Sequence, residues 1–218
     1  MIELLVVIAV IAILAAIAYP TFIGILERAK ATKDMNNLRQ IGIATQLYMN
    51  DNDGALPGSA TVRWMSQLHP KYLSSWNIFR SPFDTRAPLE DDLNSPVSYG
   101  INGSNIVGTS ADKITKPTVF ILFAPAQAAG ATVTFSGLAN TGAPGVTVLG
   151  SGSNTATSNP SGGGAATGGT HSSRTKINAL FADLHSENMP WGGGGATFTN
   201  NTANPPSDPD GYLRWNPF

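Results

Sequence analysis

The chain has 218 residues, with 13 basic and 14 acidic side chains and a formal net charge of −1. This balance gives no electrostatic basis for nucleic acid or anionic lipid as the main partner. The sequence contains no cysteine, which excludes disulfides, thiol nucleophiles and cysteine-ligated metals, and its 23 Gly and 15 Pro predict long loops.

The first predicted element is an apolar helix. The run LLVVIAVIAILAAIAYPTFIGIL extends from Leu4 to Leu26 without a charge, and about 20 apolar residues in a helix suffice to cross a bilayer. A secretory signal would instead start with basic residues and have a shorter apolar core. Glu3 directly precedes the run. A carboxylate facing hydrocarbon costs roughly 2.5–3.5 kcal/mol, so we expect Glu3 to have a partner.

The helix becomes amphipathic beyond Leu26. Apolar and other inward-facing residues recur there in steps of three and four, which predicts one buried face: Met35, Leu38, Ile41, Thr45 and Tyr48. Ile43 and Leu47 lie off this stripe, which predicts a contact on a second side. We expect a single helix from about residue 2 to about residue 51, stopped by Asp53-Gly54. A kink or local melting is expected near Pro20, because proline removes a backbone hydrogen bond.

Short elements follow and predict a globular head at 54–218, separate from the helical unit at 1–53. WMSQLHPKYL predicts a helical turn, and TKINALFADLHSENMPW predicts a hairpin with its turn at Asp183 to Ser186. The Gly/Ser/Thr-rich stretch 150–170 predicts a flexible surface loop. The fold class is therefore α+β, a long helix packed on a small antiparallel sheet with irregular loops. Four further segments predict strands: SPVSYGIN, KPTVFILFAPA, ATVTFSG and VTVLG.

The N-terminal residues resemble a known family. IELLVVIAVIAILAAIAYP is similar to the N-terminal helix of type IV pilins and type II secretion pseudopilins. LRQIGIATQLYMNDNDGALP, VSYGING and INALFADLHSENMPW resemble, more loosely, the pseudopilin-like proteins of environmental bacteria. Those proteins carry a His, a spacer and an Asp-Gly near their C-terminal strands. His171 and Asp183 correspond to that pattern, with a longer spacer and with Leu184 in the place of the Gly.

The resemblance implies a filament of parallel, staggered helices in which Glu3 neutralises the terminal amine of an adjacent subunit and sets the axial register. The stretch from Ala12 to Pro20 matches the zone that melts in such filaments, although Ala12 replaces the usual Gly. The remaining implied subunit contacts are apolar: Leu4, Leu5, Ile8, Ile11 and Leu14.

The resemblance also implies partners outside the filament. These are a prepilin peptidase, N-terminal methylation, and an inner-membrane assembly platform with a motor ATPase. The acid stands at the third position here and at the fifth mature position in the family. No basic leader precedes it in this sequence. We therefore expect either that a leader and two mature residues are missing from this sequence or that its start was inferred.

The residues predict no enzyme. The three histidines, His69, His171 and His185, occur without a metalloprotease, nucleophile-elbow or phosphate-loop pattern. No cofactor is expected, with one possible exception in the acidic turn SDPDG. Asp208 and Asp210 of that turn would offer calcium the oxygen ligands it prefers, in the region where major pseudopilins bind calcium, and the same sequence also suits a plain turn.

The sequence thus predicts a structural subunit of a pilus-like or pseudopilus-like filament. The precursor is expected in the inner membrane, and the assembled form at the cell surface or in the periplasm. A minor pseudopilin that caps a secretion pseudopilus and a monomeric membrane-anchored binding protein remain open as alternatives.

Overall fold

The structure is a computed structural model that describes residues 2–58, 63–84, 98–102, 106–125, 134–135, 169–173, 175–192, 195–198, 200 and 206–218. The predicted strand VTVLG and most of the predicted loop 150–170 lie outside the described residues.

The first element is one long helix, α1, at Ile2–Asp51. Its 50 residues span about 75 Å at ~1.5 Å per residue, which confirms the predicted extent. The helix runs through Pro20 without interruption, so the melting expected near residues 16–20 does not occur in this single chain. At the predicted stop, the Gly54 N–H donates to the Met49 carbonyl at 2.9 Å, with Gly54 at φ +77°. Glycine adopts this left-handed conformation at little cost and ends the helix.

The head is built on five strands: β1 at Tyr99–Asn102, β2 at Ile121–Pro125, β3 at Thr134–Phe135, β4 at Lys176–Phe181 and β5 at Ser186–Pro190. They form one sheet in the order β3-β1-β2-β4-β5. The four main strands pair antiparallel, which confirms the predicted α+β fold, and the two-residue β3 pairs parallel to β1 at the edge. The β4–β5 hairpin pairs Leu180 with Ser186, so its turn starts one residue earlier than predicted. The helical turn predicted in WMSQLHPKYL is α2, Trp64–Leu68.

The second half of α1 forms one side of the core. Leu38 and Ile41 are fully buried against the head, and a Cβ added at Gly42 would lie 3.1 Å from a Leu180 methyl, which shows how closely the helix approaches β4. Leu38, Ile41 and Thr45 of the predicted stripe are fully buried, and Met35 and Tyr48 are partly buried, Tyr48 packing against the core. Asp34 and Asn37 are buried in addition, because the face that meets the sheet carries polar groups as well.

We predict that Ile41→Ala lowers the free energy of unfolding of the head by about 2–5 kcal/mol, because it empties a fully buried site. Ile43→Ala, two residues along the same helix and 62% exposed, should change it by less than about 0.5 kcal/mol. Tryptophan fluorescence of the full chain in detergent measures this, since all four tryptophans lie in the head. Equal effects of the two substitutions would contradict the packing of α1.

The exposed helix and the polar network that anchors it

The apolar half of α1 is uncovered by the described part of the chain. Its large side chains are between 45% exposed, at Leu26, and 81% exposed, at Ile2. The most apolar 18-residue stretch contains no buried residue. The predicted contact residues Leu4, Leu5, Ile8, Ile11 and Leu14 all lie on this surface, and Pro20 is exposed as well.

Glu3 lies in the first turn of α1 and is exposed. Within the described ranges, no residue forms an ion pair or hydrogen bond with its carboxylate. The partner expected for Glu3 is therefore not found among the described residues.

Length and composition make α1 capable of crossing a membrane. Three exposed cations, Arg28, Lys30 and Lys33, follow the apolar stretch directly. Cationic side chains at the end of an apolar helix reach easily into the headgroup layer. The helix is thus compatible with membrane anchoring. The head packs against α1 only beyond the apolar stretch.

The second half of α1 is held by a buried carboxylate, Asp34. Its Oδ1 accepts hydrogen bonds from the Ser81 hydroxyl at 2.5 Å and the Tyr99 hydroxyl at 2.8 Å. Its Oδ2 accepts from the Asn178 amide at 2.9 Å. The same amide reaches the Ala31 carbonyl at 2.9 Å. Asp34 therefore ties α1 to β1, to β4 and to the segment before β1.

Burial is the main cause of the raised pKa values of Asp34 and Tyr99. Loss of hydration raises the pKa of Asp34, although the bonds from Ser81, Asn178 and Tyr99 oppose that shift. Burial and the neighbouring Asp34 carboxylate also raise the pKa of Tyr99 well above its ordinary value. The phenol stays a donor at neutral pH, which suits its bond to Asp34.

The network continues from Asn178 to the loop before β4. The Asn188 amide lies 2.8 Å from Oδ1 of Asn178 and 2.5 Å from Nε2 of His171. The Thr170 hydroxyl lies 2.9 Å from Nδ1 of His171, and burial lowers the pKa of that imidazole. Beside it, the Ser172 N–H donates to Glu27 at 2.7 Å. The loop therefore meets α1 where the apolar stretch ends.

His171 and Asp183, the pair matched to the family pattern, do not meet. His171 precedes β4 and Asp183 follows it, so the length of the strand separates them. Asp183 instead lies in the hairpin turn, where its Oδ1 is 2.5 Å from Nδ1 of His185. The two residues belong to separate structural contacts, one at each end of β4.

Both carboxylates of the acidic turn form ion pairs with basic side chains of the chain itself. Both oxygens of buried Asp208 accept from Arg214, at 2.7 and 2.9 Å, and the Asn200 amide lies 2.6 Å away. Asp210 pairs with Lys116 at 2.6 Å. Among the described residues, no group of three His, Asp or Glu side chains could hold a metal. A calcium ion would have to displace both cations, and its binding stays a prediction.

Comparison with known proteins finds no matching family model, no similar curated protein and no similar solved structure.

The polar network around Asp34 was not predicted from the sequence, although one signal was present. Asp34 lies four residues before Leu38, in phase with the buried stripe of α1, and a polar residue at such a position needs a buried partner.

We predict that Asp34→Asn changes the pH dependence of stability. The folded pKa is raised, so the stability that Asp34 contributes is present below its unfolded pKa near 3.8 and is lost as pH rises through the folded value. The free energy of unfolding of the native chain, relative to the variant, should therefore fall above pH 3.8, by up to about 1.4 kcal/mol per pH unit.

Asp51→Asn serves as the control on the same helix. Hydrogen bonds from Lys71 and Tyr72 lower the pKa of Asp51. The stability that Asp51 contributes should therefore depend on pH in the opposite direction and be lost as pH falls. Denaturant titrations of the full chain from pH 3 to 8, followed by tryptophan fluorescence, measure both. A pH-independent difference for Asp34→Asn would contradict the burial of a titrating carboxylate.

Proposed function

We propose that this protein is the repeating subunit of an extracellular filament of the type IV pilus or type II pseudopilus kind. In this proposal α1 anchors the subunit in the inner membrane before assembly. The same helix then enters the filament core, and the head coats the outside. The chain acts as a structural protein rather than an enzyme.

One observation carries the proposal. The apolar half of α1 has no cover in the described part of its own chain, while one face of the other half is buried against the head. Exposed apolar surface of this length is stable only in lipid or against other apolar helices. Parallel packing of identical helices provides such cover, and the sequence resemblance of this half to pilin helices supports the same arrangement.

The anchoring of the second half adds support. Asp34, Asn178 and Ser81 fix α1 to the head through buried hydrogen bonds. A force applied to the apolar half is therefore transmitted to the head through directional bonds. Such a connection suits a subunit that is pulled from a membrane into a polymer.

Glu3 supplies the decisive test. It is the only charge before Glu27, and its carboxylate has no partner among the described residues. In the proposed polymer it pairs with the terminal amine of a neighbouring subunit, which offsets the cost of burying either charge. We predict that Glu3→Gln lowers the yield of filaments sheared from cells more than tenfold, while the amount in the membrane is unchanged.

Glu27→Gln is the matched control, because the amide oxygen retains the acceptor for the Ser172 N–H. It should assemble within twofold of the native chain. Immunoblots of sheared and membrane fractions measure both variants, and cryo-electron microscopy of native filaments locates Glu3. Normal assembly of Glu3→Gln would contradict the pairing. A native chain that stays monomeric in the membrane would favour an anchored binding protein instead.

A further inference from the structure

Two side-chain amides join the ring of His171 to the helix α1. The amide of Asn188 lies 2.5 Å from Nε2 of His171 and 2.8 Å from Oδ1 of Asn178. The amide of Asn178 in turn lies 2.9 Å from the Ala31 carbonyl and 2.9 Å from Oδ2 of Asp34. We call His171, Asn188, Asn178 and Asp34 together the amide relay.

The Ala31 carbonyl fixes the direction of the amide relay. A backbone carbonyl can only accept, so Asn178 must turn its NH₂ group toward α1. The oxygen of Asn178 then faces Asn188, which must therefore donate. The same NH₂ group of Asn188 also meets Nε2 of His171, so this ring nitrogen has to accept and carries no proton. The ring is therefore neutral, with its proton on Nδ1.

The surroundings of His171 suit a neutral ring. The side chain is 5% exposed, and the ring stacks on Phe83 with centroids 5.6 Å apart. Its Nδ1 lies 2.9 Å from the Thr170 hydroxyl, which can accept the proton. Burial lowers the pKa of His171, the Glu27 carboxylate on α1 opposes that shift, and Lys176 on β4 adds to it. The group that β5 presents to the ring is the uncharged amide of the relay.

Protonation of His171 sets two donors against each other. The new Nε2–H would point at the NH₂ group of Asn188, which could favour a charged ring only by turning its oxygen to Nε2. That oxygen would then face the oxygen of Asn178. Asn178 cannot turn in response, because its own oxygen would then face the Ala31 carbonyl. A charged ring is therefore incompatible with the intact relay.

The loop that carries His171 is bonded to α1 next to this site. The Ser172 N–H donates to Glu27 at 2.7 Å, and His171 itself pairs with Lys176 at the start of β4. Movement of the ring out of the relay therefore also disturbs the bond between Ser172 and Glu27. We propose that the amide relay is an acid-sensitive latch, in which protonation of His171 loosens the loop at 169–173 from α1.

The latch belongs to the single chain and does not depend on polymerisation. The pKa of His171 is lowered in the folded chain. The stability that the neutral ring contributes is therefore present above its unfolded pKa near 6.5 and is lost as pH falls through the folded value. A mildly acid medium is the condition that opens the latch.

Nitrogen-15 NMR of the native full chain in detergent micelles provides the first test. The chain has three histidines, so His69→Gln and His185→Gln identify the signals of the third ring. At neutral pH we expect His171 to carry its proton on Nδ1, and on acidification the Ser172 amide should shift with the same midpoint as the ring. A proton on Nε2 at neutral pH, or a Ser172 amide that does not follow the ring, would overturn the latch.

Asn178→Leu tests the relay without touching the ring. It keeps the branched shape and removes the oxygen that holds Asn188, so Asn188 becomes free to turn its own oxygen to His171. We expect the pKa of His171 to rise by about 0.5 or more, whereas an apolar neighbour acting through burial would lower it. An unchanged or lowered pKa in this variant would refute the relay.

Two further variants complete the set. Asn188→Ala lies at an exposed position and decides the matter if Asn178→Leu does not fold. Loss of a group that donates to the ring should raise the pKa of His171, and a fall or no change would contradict the relay. Glu187→Gln is the control, because successive strand residues face opposite sides of the sheet, and it should leave the pKa within about 0.2 of the native value.

Discussion

The buried Asp34 carboxylate is the contact on which the position of α1 depends. Its two oxygens accept bonds from Ser81, Tyr99 and Asn178, which come from three different parts of the head. A buried carboxylate that lacks such donors costs several kcal/mol. The helix is therefore stable only at the rotation and axial height where the donors converge.

Fixing the rotation of α1 also decides what faces outward. With the Asp34 side turned to the sheet, Ile43 and Leu47 are left exposed on the opposite side. Fixing the height places the end of the apolar stretch beside the loop that carries His171, where Glu27 accepts the Ser172 N–H. The contacts of Asp34 thus decide both which face of α1 is exposed and where the exposed apolar stretch meets the head.

The residues matched to the family pattern have local structural roles. His171 ends the network that starts at Asp34, and Asp183 shapes the β4–β5 turn with His185. Asp208 and Asp210 are likewise engaged by Arg214 and Lys116 in the C-terminal segment. Polar residues that suggest a ligand site in a sequence here satisfy one another, as buried polar groups in folded proteins must.

The sequence by itself determined the helix from 2 to 51, the β1, β2, β4 and β5 segments and the apolar half of α1, because periodicity and turn residues are local signals. It did not determine the strand order, the parallel pairing of β3 or the partners of Asp34. Those depend on residues that are distant in the chain meeting in space, as Ile101 and Thr134 do in the β1–β3 pair and as Ser81 and Asp34 do in the polar network. Periodicity predicted the buried face of α1 at Leu38, Ile41 and Thr45. Only the tertiary structure decided which groups Asp34 meets on that face, because its partners come from distant segments of the chain.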